Sequence, residues 1–366
     1  MLDSPSPAAR SIRDLSPNSF AIVMATGIVA LALNAAGWRV VGLILFWVGA
    51  VVYAVLWALT AARCIYHRSA VRADLHSHAR APGFFTCVAA TGMLGSGSVL
   101  LCSSPEAGVV LWVITGLLWV GFSYSVLPRL MGAENKPELE KGLSGTWLLT
   151  VVATQSVCVL GCSVAPYLPD TVSVPGLFIA LCFWLIGGML YMWLITLIFY
   201  RITFRPLAPA DFTPPYWISM GAMAISTLGG VSLVSVDRRS ELLVELTPFL
   251  KGLSLAFWAT ATWWLPLLTI LEVWRYGVKR YPLTYDHGFW GAVFPLGMYA
   301  VCTLSLTQEF GLPFLSPLGE TFAWVALTAW SATTLGLIRR LVIGMVTICT
   351  PPELNEPRPV RDPRGK

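Results

Sequence analysis

Ten stretches of about 20 residues, apolar almost throughout, follow one another along the chain with only short breaks between them. That pattern leaves few folds open. A bilayer core offers the backbone no hydrogen-bond partners, so a spanning segment must be a helix or a strand of a closed barrel. Barrel strands are short and alternate apolar with polar residues; these runs are too long and too uniform. The reading is an all-α integral membrane protein. Composition agrees: of 366 residues, 56% are hydrophobic and 12% charged, whereas soluble domains carry about a quarter charged residues.

The expected spans are residues 20–36, 40–62, 83–102, 108–128, 146–165, 175–200, 216–234, 252–273, 289–306 and 318–338. They form one domain over 20–340, preceded by a short segment, 1–19, that lacks the features of a cleavable signal peptide, and followed by a tail, 341–366. "LVIGMVTIC" at the start of the tail is too short to span and either extends the last helix or lies at the interface; the Pro-rich end reads as disordered. Lys and Arg sort to one side. Twenty of the 24 fall in the two terminal segments and in the connections after even-numbered spans, against Arg39, Arg238, Arg239 and Lys251 on the other side. The positive-inside rule then places both termini in the cytoplasm, in a cell (plasma or inner) membrane. The net charge of +5 follows from this topology and is no sign of a nucleic-acid partner.

An internal repeat orders the spans. "VMATGIVAL", "VAATGML" and "VVATQSV" align on Thr26, Thr91 and Thr154, a step that covers two spans, so the unit is a helical hairpin repeated five times. Odd-numbered spans are rich in Gly, Ala, Ser and Thr; even-numbered spans are bulky and hold, with their immediate ends, twelve of the 16 tryptophans. Small residues let helices approach closely, and aromatics suit lipid contact and the membrane interface. The expected arrangement is an inner ring of five parallel odd helices inside an outer ring of even ones, with a central pore.

Within that pore, Thr26, Thr91, Thr146, Thr150, Thr154 and Ser226 are the candidate lining, the alternative being a bond from each hydroxyl to a carbonyl one turn back. Thr146, Thr150 and Thr154 share one helix face. Membrane-embedded acids and histidines mark coupled carriers. Here only Glu272 lies near a span, and its spacing to Arg275 suits an interfacial ion pair. The loop holding His67, Asp74, His76 and His78 lacks metal-ligand spacing, and Cys158 and Cys162 have no third ligand. No metal, cofactor or set of convergent catalytic groups is expected, so the chain does not read as an enzyme.

"FAIVMATGI", "PPYWISMGAMAI", "FWATATWWLPLL" and "FWGAVFPLGMYA", in order over residues 15–340, resemble the tellurite-resistance/C4-dicarboxylate transporter family, related to the slow anion channels of plant guard cells, yeast malate permeases and fungal sulfite exporters. The resemblance implies five hairpins around a pore that passes small anions, often in a homotrimer within the lipid bilayer. It also implies that a phenylalanine in a Trp-x-x-x-Phe-Pro pattern plugs the pore. That pattern places the gate at Phe294, followed by Pro295. Malate-like dicarboxylates, chloride, nitrate, sulfite and tellurite all stay open as substrates. A passive conduit suits the span interiors better than the alternative, a proton-coupled dicarboxylate or sulfite exporter.

Overall fold

The computed structural model describes residues 12–349. Most of the expected N-terminal segment and the Pro-rich end therefore lie outside the described residues. Within them, ten helices are long and apolar enough to cross a membrane: α1 Pro17–Ala35, α2 Arg39–Tyr66, α3 Ala81–Leu100, α4 Pro105–Met131, α5 Gly145–Tyr167, α6 Asp170–Phe204, α7 Pro214–Ser235, α8 Glu241–Val278, α9 His287–Phe310 and α10 Pro313–Ile343. The described residues contain no strand. The helix that contains α10 continues to Cys349, so "LVIGMVTIC" extends the last span.

Each odd helix starts the same way. A short 3-10 turn precedes the α-helix at Pro17–Phe20, Ala81–Phe84, Gly145–Leu148, Pro214–Trp217 and His287–Phe289. Proline or glycine sits in every one of these turns. A side chain holds the first free backbone N–H at three of them: Ser16 Oγ accepts from Asn18, Ser144 Oγ from Thr146, and Asp286 Oδ1 from Gly288. At its other end α9 is closed by Gly311 at φ 68°, a left-handed cap that lets the chain turn straight into α10.

The two classes of helix occupy different places. Within the most apolar stretch of each, 78–94% of residues are buried in the odd helices and 11–33% in the even ones. The odd helices pack in sequence, α1 on α3, α3 on α5, α5 on α7, α7 on α9, and α9 back on α1, closing a ring. Each even helix packs along the odd helix before it. Outward, the even helices present large apolar groups such as Trp47, Leu117, Trp193 and Leu335, as a lipid-facing surface requires.

Glycine sits at every seam of the inner ring: Gly27 against Met93, Gly92 against Ser156, Gly229 against Cys158, Gly221 against Pro295, and Gly297 against Ile28. At the closest of these a Cβ on Gly221 would stand 2.7 Å from the Pro295 ring. Backbones approach this tightly only where one partner has no side chain.

The structure departs from the expected spans at α8. Its helix begins eleven residues before the expected position 252, so Lys251 stands inside the helix and not in a connection. Glu241 and Glu245 stand in that added first stretch, where a helix end that clears the apolar layer carries such charges freely.

Candidate functional site

A cavity of about 620 Å³ lies among the C-terminal ends of the inner helices. All five contribute to its wall, which means that all five run in the same direction. An apolar tier comes first, one residue from each helix: Leu31, Met93, Val159, Leu228 and Val301. One turn further toward the C-terminal ends stands a polar tier, again one from each: Asn34, Ser96, Ser163, Ser232 and Ser305. None of the side chains lining the cavity is charged.

Helix periodicity carries this axial face down α9. At about 100° per residue, Phe294 lies seven residues before Val301 and therefore on the same stripe, about 10 Å deeper. Two neighbours fix the orientation independently. Pro295 packs toward α7 at Gly221, and Gly297 packs toward α1 at Ile28, so Phe294 faces between those two helices, toward the axis. It is only 1% exposed. The helix runs unbroken through Pro295.

The expected lining hydroxyls are placed elsewhere. Thr154 Oγ1 accepts the indole N–H of Trp119 on α4 at 2.8 Å, and Thr26 Oγ1 that of Trp330 on α10 at 2.9 Å. Thr91 Oγ1 pairs with the Tyr53 hydroxyl on α2 at 2.8 Å. Ser226 donates to Ala222 O, while its own carbonyl accepts from Trp184 of α6 at 2.8 Å. Thr303, absent from the expected set, accepts from Trp258 of α8 at 3.0 Å. Thr150 closes on the Trp147 carbonyl and Thr146 on Ser144 Oγ, on the outward face they share with Thr154.

Together these contacts form a five-fold device. The aromatic side chain of each outer helix bonds the inner helix of the next pair, and α10 bonds α1 to close the circle. A buried indole N–H needs an acceptor, and a hydroxyl or carbonyl on the outward face of the inner helix supplies it. The tryptophans expected at the lipid surface thus divide: Trp47, Trp193 and Trp263 are exposed, while Trp184 and Trp264 are buried.

The polar and charged residues near the arginine-rich end resolve in the same way, as structural contacts. Glu272 accepts from the Trp217 indole at 3.0 Å. It makes no ion pair with Arg275, whose guanidinium lies over the rings of Tyr276 and Tyr281. Asp74 takes Arg63 at 2.7 Å and Arg80 at 2.6 Å, His76 bonds the Arg72 carbonyl, and His78 lies beside Trp147. No group of three metal-ligating side chains converges among the described residues.

The cavity wall is not evident from composition, although the sequence holds a signal for it. Counting five residues on from an outward threonine turns the helix by about 140° to the opposite face. From Thr26, Thr91 and Thr154 that count reaches Leu31, Ser96 and Val159, all on the cavity wall.

Residues 14–338 match the voltage-dependent anion channel family. The chain belongs to that family, one of anion channels and transporters and not of enzymes. It is 38% identical over 152 residues to an uncharacterized membrane protein of Mycobacterium tuberculosis, covering 42% of this chain and 77% of that one. An uncharacterized transporter of Methanocaldococcus jannaschii is 24% identical across 91% of this chain and 96% of its own length. A sulfite efflux pump of Trichophyton rubrum is 23% identical across 87% and 89%. The protein is thus a multi-pass membrane protein of an anion-transport family, as the quoted motifs implied.

Proposed function

We propose that the ring of five inner helices is a passive conduit for small anions and that Phe294 closes it. The observation that carries this reading is the axial stripe of α9, where a buried phenylalanine lies two turns below the apolar tier of an otherwise open funnel. In this reading an anion enters the funnel, meets hydroxyl and amide dipoles, and is stopped by an aromatic plug that also keeps the axis dry. Pro295, held by Gly221, keeps the plug aimed inward. Neither Asp, Glu nor His lines the cavity, which favours a conduit over a proton-coupled carrier. With the arginine-rich end in the cytoplasm, the funnel opens to the outside of a plasma or inner membrane. The trimer that the resemblance implies belongs to the same proposal, as does the choice among dicarboxylate, halide, nitrate, sulfite and tellurite substrates.

The test is Phe294→Ala in liposomes. Removing the ring opens a path that water and anions can wet, and basal anion conductance is expected to rise several-fold or more. A phenylalanine that merely packs makes the opposite forecast, because cutting it to alanine costs about 3–5 kcal/mol in a soluble core and lowers yield and flux together. Normal yield with flat or reduced conductance removes Phe294 from the gate.

A further inference from the structure

Hydroxyls on the inner helices are almost all spoken for. Ser98 donates to Leu94 O, Ser156 to Val152 O, Ser163 to Val159 O and Thr227 to Met223 O, each one turn back along its own helix. Ser96 stands apart. It is 2% exposed, it lines the cavity, and its Oγ has no hydrogen-bond partner, although the carbonyl of Gly92 lies one turn back on the same helix. A buried hydroxyl left unbonded is costly, and a site that bears this cost unliganded recovers it when something in the cavity accepts the proton. On the facing walls the side chains of Asn34, Ser232 and Ser305 likewise make no hydrogen bond among the described residues, and they occupy the same tier.

We propose that Ser96, with Asn34, Ser232 and Ser305, forms an anion-coordinating station just outside the apolar tier. This rests on the conduit reading above and adds to it the residues that choose the ion. The station holds only neutral dipoles, and that sets its ligand class. The cost of stripping water from an ion grows with the square of its charge, while a hydroxyl or amide dipole gains only in proportion to the charge. Four neutral donors therefore offset the dehydration of a singly charged small anion such as nitrate or chloride and fall short for a dicarboxylate dianion. The Ser96 hydroxyl donates to the anion, the Asn34 amide donates alongside it, and Ser232 and Ser305 complete the shell from α7 and α9.

The experiment uses the full chain carrying Phe294→Ala in liposomes, with conductance measured against nitrate concentration and with malate dianion as competitor. A hydrogen bond to a charged group is worth about 1.5–3 kcal/mol, so adding Ser96→Ala is expected to raise half-saturating nitrate about tenfold or more and to narrow the preference for nitrate over malate. Ser96→Thr, which keeps a hydroxyl, restores both, and Ser98→Ala, whose hydroxyl is bonded within its helix, leaves both unchanged. Ser305→Ala gives the Ser96→Ala shift from the opposite wall, and it decides the matter if Ser96→Ala yields no folded protein. Equal half-saturation in Ser96→Ala, Ser305→Ala and Ser98→Ala proteins that still conduct overturns the station while leaving the conduit in place; water alone then satisfies Ser96. An absence of anion current from both the parent and well-folded Phe294→Ala protein overturns the conduit and the station with it.

Discussion

The odd and even helices are both apolar enough to cross a bilayer, yet they meet different surroundings. Even helices face lipid, where bulk is harmless and polar atoms are not. Odd helices face other helices on every side, and there volume decides. A glycine on the outward face of an even helix therefore differs from one at an inner seam. Gly92 is pressed against Ser156, and a Cβ there would come within 2.8 Å of the serine Cβ, whereas Gly116 and Gly121 on α4 have nothing within 4 Å. The comparison teaches that apolar sequence built from small residues encodes a close-packed wall, whereas bulky apolar sequence encodes a jacket matched to lipid.

The sharpest way to break this comparison is to make one chemical change in both rings. Phe294→Ala should raise conductance several-fold or more, while Phe178→Ala on the exposed face of α6 should leave it unchanged. Equal responses from the two would mean that axial position carries no special role. Next in size is overpacking. Gly92→Val should abolish recovery of monodisperse protein from detergent, since added bulk costs about 1–3 kcal/mol even in cores that can relax; Gly116→Val should be recovered as well as the parent. If both variants melt alike, the seam glycines are not what closes the ring.

Smaller effects probe the ties between the rings. Trp330→Phe removes the indole that reaches Thr26 across the junction of the last and first hairpins, and it should cost about 1 kcal/mol, read as a lower thermal midpoint. Trp193→Phe, at 62% exposure, serves as its outer-surface counterpart and should shift nothing. An unchanged midpoint in Trp330→Phe would mean that hydropathy and seam packing alone hold the circle closed. The smallest perturbation asks which way the assembly points. A single cysteine at Ser77, on a background lacking native cysteines, should resist an impermeant thiol reagent applied to intact cells. Labelling from outside would invert the funnel and place its mouth in the cytoplasm.

Much of the architecture was legible in the sequence, because hydropathy and side-chain volume are local properties. Ten apolar runs implied ten helices, and the alternation of small with bulky spans anticipated which five would be buried. The motifs around Trp290, Phe294 and Pro295 pointed to the family. Even the repeated threonine was a true signal; its step of two spans marks the place where each outer aromatic docks. The partner of Glu272 was not legible, since Trp217 lies 55 positions away in the chain.

The sequence by itself determined the number of spans, their helical nature and the division into two classes. Only the tertiary structure decided which way each inner side chain faces. An amphipathic helix announces its buried face through polar residues on the other, but a helix enclosed on all sides has no polar face to set the phase. Thr154 and Ser163 are both small hydroxyl residues in one buried helix, and nothing within that helix says that one meets an indole and the other a cavity. The neighbours say so: Trp119 claims the first, the glycine seams fix the rotation, and what is left over faces the axis.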